Sequence, residues 1–233
     1  VWIDNNTRDD AQNMGYTVVD AGTVIATHLN HVISSHAADL LGRQEAQQLL
    51  DHVGKESPKL VEDLVPKLLP LSMVQKVLQN LLTEGVHIRD MRTIIETLAE
   101  YATQTQDANE LTAQVRIKLG RAIVQQLFPS GNEVSVITLD NSLERLLTQA
   151  VQSNSTSAAI EPNMAETLAR QAESAAKQQE QMGMSPVLLV SAPIRAALAK
   201  FLRRSVPHLR VLSHEELPDS KIIRVTNLIG GSA

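Results

Sequence analysis

Between residues 43 and 127 apolar residues return repeatedly at the spacing of one helix face. Val74, Val77, Leu78, Leu81 and Leu82 form one such stripe, and Met91, Ile94, Ile95, Leu98 and Ala102 another. Leu111, Val115, Leu119, Ala122 and Ile123 form a third. Ala46, Leu49 and Leu50 mark an earlier helix. Ser57 followed by Pro58 reads as an N-cap with proline at the first helical position, and predicts a short helix through Leu64. Pro66 and Pro70 break the chain and Gly85 ends the helix before it. Asp107 with Glu110 resembles a capping box. The pattern predicts an all-helical unit with short connections.

After Pro129-Ser130-Gly131 the period changes. Val134, Val136 and Ile137 read as a strand, and Asn141 with Glu144 opens a helix through Val151. Ser153 to Ala159 is a small, polar loop. Pro162 starts a helix running to Met182, and Pro186 to Val190 is a strand of the fully buried type. Pro193 starts a helix with Ile194, Leu198 and Leu202 inward. Leu209–Leu212 and Ile222–Val225 are two further strands. This order predicts a small α/β unit.

The first forty residues read differently. Val1-Trp2-Ile3 and Tyr16-Thr17-Val18-Val19 are strand-like, with one or two helical turns over Asp9–Met14 and a stop at Gly15. Their partner strands are expected upstream, and a start without Met, inside a strand, is expected of a fragment. Thr23 to Leu41 is predicted as one long helix with Ile25, Leu29, Val32, Ile33 and Leu40 on its apolar face, ended by Gly42. The fold class is therefore α+β and mainly α: a helical bundle subdomain followed by a small α/β subdomain, with the remnant of an upstream α/β unit at the N-terminus. The expected boundaries are 1–42, 43–127 and 128–233.

Aromatic residues make up only 2% of the chain, so Leu, Ile, Val and Ala must fill the core. The net charge is -5 with both signs interspersed and no basic stripe, which argues against nucleic-acid binding. Without cysteine there is no disulfide, thiol nucleophile or thiolate metal site. No apolar run approaches the roughly 18 residues of a membrane span, and no signal peptide is present. Phosphate-cradling and dinucleotide-binding glycine patterns and the nucleophile elbow are missing. Gly85-Val86-His87-Ile88-Arg89-Asp90 lacks the contiguity and the downstream partners of a kinase catalytic loop. The charged clusters Arg43-Gln44-Glu45 and Ile88-Arg89-Asp90-Met91 are expected as caps and surface ion pairs. No catalytic residue, metal or cofactor is expected.

The Thr23–Leu41 segment carries the candidate site. His28, His31 and His36 share it, without the third ligand that zinc needs. His36 falls on the apolar face and is expected as a core histidine bonded to a neighbour. From Ala21 to Ala38 there is no charged residue. Thr27, Asn30, His31 and Ser34 lie opposite the apolar stripe, with Val24 beside them and His28 at the border. A solvated helix face ordinarily carries Lys or Glu. An uncharged hydrogen-bonding face costs less to desolvate and suits a partner surface. Cover by an upstream segment explains it equally well. The candidate protein-binding residues are Val24, Thr27, His28 and His31.

One resemblance bears on function. Val18-Val19-Asp20, Val24 to Leu29 and His36 to Glu45 resemble the cytoplasmic domain of the FlhA family of flagellar export gate proteins, the FlhA/SctV type III secretion family. Pro58 to Val61, Val77 to Leu82, Ile88 to Met91, and Leu111 with Val115-Arg116 continue the match. It is strong from Trp2 to Ile123 and weaker from Phe128 onward. The resemblance implies a cytoplasmic part of four subdomains below an inner-membrane part, assembled as a homo-nonamer on the cytoplasmic face of the bacterial inner membrane. It implies docking of export chaperones and their cargo, and contact with the ATPase complex and soluble export components. Membrane contact would come only through a segment outside this chain. It places Thr27 at the chaperone-docking depression. A hydrolytic enzyme with a dispersed acid and histidine site, and a general helical scaffold, are the alternatives.

Overall fold

A computed structural model describes residues 1–129, 131–152 and 162–230. The chain runs through α1 (Arg8–Asn13), α2 (Ala21–Ser35), α3 (Ala37–Leu40), α4 (Arg43–Glu56), α5 (Pro58–Leu64), α6 (Leu71–Thr83), α7 (Met91–Tyr101), α8 (Ala108–Lys118) and α9 (Gly120–Leu127). Then come β1 (Glu133–Leu139), α10 (Asn141–Gln152), α11 (Pro162–Gln181), β2 (Val187–Val190), α12 (Ala192–Leu202), β3 (Arg210–Ser213) and β4 (Ile222–Ile229). The protein is mainly helical with one four-stranded parallel sheet, as the periodicities predict. The predicted loop from Ser153 to Ala159 lies outside the described residues.

The three helical stripes are the core of the bundle. Val74, Val77, Leu78, Leu81, Ile94, Ile95, Leu98, Leu111 and Val115 are all fully buried, each large side chain contributing about 1.5–3 kcal/mol of burial. Local chemistry sets the ends. Asp90 accepts from the Thr93 amide at 3.1 Å and caps α7. Asp107 accepts from the amides of Asn109 and Glu110 and caps α8. Gly85 ends the turn after α6 at φ 70°, a conformation open to glycine.

The sheet order is β3-β2-β1-β4, all parallel. Alternation splits its residues. Val134, Val136, Val187, Leu189 and Leu212 join the core of the bundle. Ile137, Leu139, Leu188, Val190 and Val211 pack with Leu143, Leu147, Leu168, Ile194 and Leu198 from α10, α11 and α12. The sheet is thus covered by the bundle on one face and by its own helices on the other. The register between β1 and β4 slips at Val136/Ile137, leaving Thr226 out of the ladder. Buried Gln179 closes the gap: its Nε2 donates to Ser135 O and Thr226 Oγ1, and its Oε1 accepts from the Val187 amide.

Several expectations need correction. Residues 1–3 and 16–19 form no strand; their backbone finds no partner strand among the described residues, and strand propensity counts only when a ladder is available. The helix predicted over Thr23–Leu41 is two, α2 and α3, broken at His36 (φ -106°, ψ 14°). Gly42 does not end that segment but caps the start of α4. The helix predicted after Asp107 is also two. Leu119 takes a non-helical turn, and Gly120 presses against the backbone of residue 216, where a Cβ would lie 2.3 Å from the carbonyl oxygen.

Candidate functional site

Helix α2 begins at a built cap. Asp20 accepts from the Thr23 amide at 2.9 Å and from its hydroxyl at 2.6 Å. These bonds hold the Asp20 carboxyl below its usual value, because they favour the charged form. The helix ends where Ser35 Oγ donates to His31 O at 2.8 Å, a side-chain bond that competes with the helical ladder. Beyond it, α3 packs on α6, and Gln75 and Gln79 donate to the carbonyl of buried Leu41 at 3.2 and 2.9 Å. Leu41 is thus the point at which the arm joins the bundle.

Every residue of α2 is exposed. Val24, Thr27, His28 and His31 follow the i, i+3, i+4, i+7 spacing, so an unbroken helix brings all four to one open face. The opposite stripe is open as well. Ile25, Leu29 and Ile33 are 64%, 56% and 49% exposed, so the stripe expected to be core is uncovered. His36 is no core histidine either. Its side chain is exposed, with Nδ1 3.2 Å from Asp39 Oδ2, because among the described residues nothing covers the stripe it was placed on. Among the described residues no three His, Asp or Glu side chains gather to hold a metal.

A second polar assembly escaped the periodicity analysis. Arg116 on α8 pairs with Glu216, Nη2 to Oε2 at 2.7 Å, and with Glu84 at 2.8 Å. Arg195 on α12 also bonds Glu84, and its Nε lies 3.6 Å from Glu216. Arg116, Arg195 and Glu216 are buried. Glu216 and Glu84 hold Arg116 above the usual arginine range in spite of the burial, which opposes them and is the largest single influence. The signal was present as Arg116 one residue beyond Val115 of the apolar stripe, but its partners come from residues 84 and 216. Of the carboxylates shifted elsewhere, Asp63 is exposed and Asp140 and Glu173 are half-buried, and all three are lowered by local hydrogen bonds to Lys67, Ser142 and Lys177. None gives the raised acid that a hydrolytic site calls for.

The profile of the family described as "FHIPEP family" matches residues 1–221. The chain is 57% identical over 231 residues to "Flagellar biosynthesis protein FlhA" of Escherichia coli (strain K12), covering 99% of this chain and 33% of that protein. It therefore spans about a third of the curated relatives it matches. Among solved structures, nonameric EPEC SctV-C superposes with a TM-score of 0.79 at 27% identity, over 97% of this chain and 68% of that one. The Chlamydia pneumoniae CdsV and CdsO protein complex gives a TM-score of 0.87 over 98% of this chain and 67% of that one. At 24% identity it shows the shared fold.

Proposed function

Because this chain belongs to the FHIPEP family and is similar to FlhA proteins of flagellar biosynthesis over 99% of its own length, we propose that it is part of the cytoplasmic docking platform of a flagellar protein-export apparatus. The family is a non-enzymatic component of transport. In this reading export chaperones and their cargo dock on the α2 face made by Val24, Thr27, His28 and His31.

The observation that carries the reading is the charge-free, exposed α2 face. Hydroxyl, imidazole and methyl groups can be desolvated against a partner at far lower cost than Lys or Glu. Thr27 sits between Val24 and His31 on that face and is its centre. The longer protein assembles as a homo-nonamer at the cytoplasmic face of the inner membrane, as the ring of EPEC SctV-C suggests, and meets the ATPase complex and soluble export components there. The functional division at residues 1–42, 43–127 and 128–233 belongs to the same proposal. The bundle and the α/β part act as its rigid support, since they share a core through the inner sheet face.

The test is titration of a flagellar chaperone–cargo complex against the chain, wild type and Thr27→Lys, with a melting curve for each. Affinity is expected to fall by about 1–3 kcal/mol, as for a central contact, with the melting temperature unchanged because Thr27 is exposed. Unchanged affinity removes Thr27 from the site. Loss of affinity together with a large fall in melting temperature means that the residue is structural.

A further inference from the structure

The bundle and the sheet leave between them a cleft of about 420 Å³. One wall is α6, the turn after it, α8 and α9; the other is α12 and β3. Six basic side chains line the cleft: Lys76, Arg116, Arg195, Lys200, Arg203 and Arg210. Among the described residues one carboxylate, Glu84, lines it with them. Even with Glu216 counted behind the wall, the excess is four positive charges, in a chain whose net charge is -5.

The two carboxylates are already committed. Arg116 and Arg195 hold both of them. Arg210 is left with a backbone partner, its Nη1 donating to Glu84 O at 3.0 Å, and among the described residues no carboxylate pairs with it. Its guanidinium lies over Gly85, where a Cβ would come within 2.6 Å of Cζ, so the missing side chain is what admits it. Burial and the neighbouring Arg116 hold Arg210 below the usual arginine range; the negative charge of an arriving anion would offset both effects. Lys76, Lys200 and Arg203 are exposed at the mouth, likewise without a carboxylate among the described residues.

We propose that this cleft binds the carboxylates of an acidic protein segment, with Arg210 as the inner anchor and Lys76, Lys200 and Arg203 at the entrance. A guanidinium fork matches a carboxylate in shape and charge. The cations sit on both walls, which suits several separated carboxylates better than one compact anion. Leu127, Ala199 and Pro207 between them offer apolar surface to the intervening side chains. Among the described residues no aromatic side chain lines the cleft for a nucleobase to stack on. No residue of α2 contributes to it, so this surface stands or falls separately from the α2 face.

The experiment is fluorescence anisotropy of a labelled short peptide of alternating glutamate and leucine, titrated with the 233-residue chain. Binding is expected, weakening as salt rises. Arg210→Gln is expected to weaken it about tenfold, by removing one charge-assisted contact. Lys200→Glu with Arg203→Glu reverses two exposed charges and is expected to weaken it at least about tenfold with an unchanged melting curve. Lys59→Glu, on α5 outside the cleft, should bind as wild type. The double variant keeps the test decisive if Arg210→Gln fails to fold. No binding at millimolar chain, equal binding of a glutamine–leucine peptide, or unchanged binding by the double variant overturns the proposal. Displacement of the peptide by equimolar inorganic phosphate or ATP also overturns it, reassigning the cleft to a small phosphoanion.

Discussion

Arg116 and Glu216 lie 100 residues apart in sequence and meet at the junction of bundle and sheet, Nε donating to Oε1 at 3.0 Å and Nη2 to Oε2 at 2.7 Å, both side chains 2% exposed. Two charges withdrawn from water to this degree are tolerable only as a pair. Arg116→Met leaves Glu216 with Arg195 at 3.6 Å as its nearest cation. The expected loss is about 3 kcal/mol, the lower end of the range for a broken buried pair. Adding Glu216→Leu should restore part of it. Urea unfolding of both variants checks this; a double variant less stable than Arg116→Met would contradict it.

Two helical glycines should respond in opposite directions to alanine. Gly120 faces the Glu216 carbonyl, where a Cβ would stand at 2.3 Å from backbone oxygen, so Gly120→Ala should cost about 1–3 kcal/mol through overpacking. Gly54 in α4 has room, the nearest atom being a Val61 methyl at 3.9 Å. Gly54→Ala should stabilise by about 0.5–1 kcal/mol through helix propensity. Thermal melts of the two variants decide the matter, and shifts of the same sign would count against this account.

Leucines of identical predicted standing should also diverge. Leu78 is fully buried and Leu29 is 56% exposed. Leu78→Ala should lose about 2–5 kcal/mol. Leu29→Ala should change stability by less than about 0.5 kcal/mol. A large loss at Leu29 in denaturant titration would mean that another surface covers α2 in solution.

The Asp20 cap gives a pH dependence with a definite sign. Its folded carboxyl titrates below the usual aspartate value of about 3.9. The stabilisation of the first turn of α2 is therefore complete above about pH 3.9 and is lost as pH falls through the lower folded value. The Thr23 amide resonance should titrate with a midpoint below about 3.9, and Asp20→Asn should abolish that titration. A midpoint at or above the ordinary aspartate value would sink the assignment.

The helical stripes and the buried strand Val187–Val190 were legible because each records a local pattern against water, while β4 was legible from its β-branched residues although most of its side chains are exposed. Val74–Leu81 or Val187–Val190 buries the residues its spacing says it should. The same rule named Ile25, Leu29, Val32 and Ile33 as core and was wrong for this chain, since periodicity states that a face is apolar and not whether anything lies on it. The candidate face of Val24, Thr27, His28 and His31 was readable for a related reason: absence of charge is a property of composition.

By itself, then, the order of residues determined the helical stretch from residue 43 to 127 and the four strands of the sheet, where Asp90, Asp107 and Pro58 start helices, and that no cysteine chemistry operates; it misread residues 1–3 and 16–19 as strands. It could not determine the break at Leu119, the buried meeting of Arg116 with Glu216, or the Arg210 guanidinium over Gly85. Those depend on which segments, up to 126 positions apart, the fold presses together. A local period measures how a segment meets solvent, whereas a close approach or a buried charge is set by the neighbour that displaces that solvent.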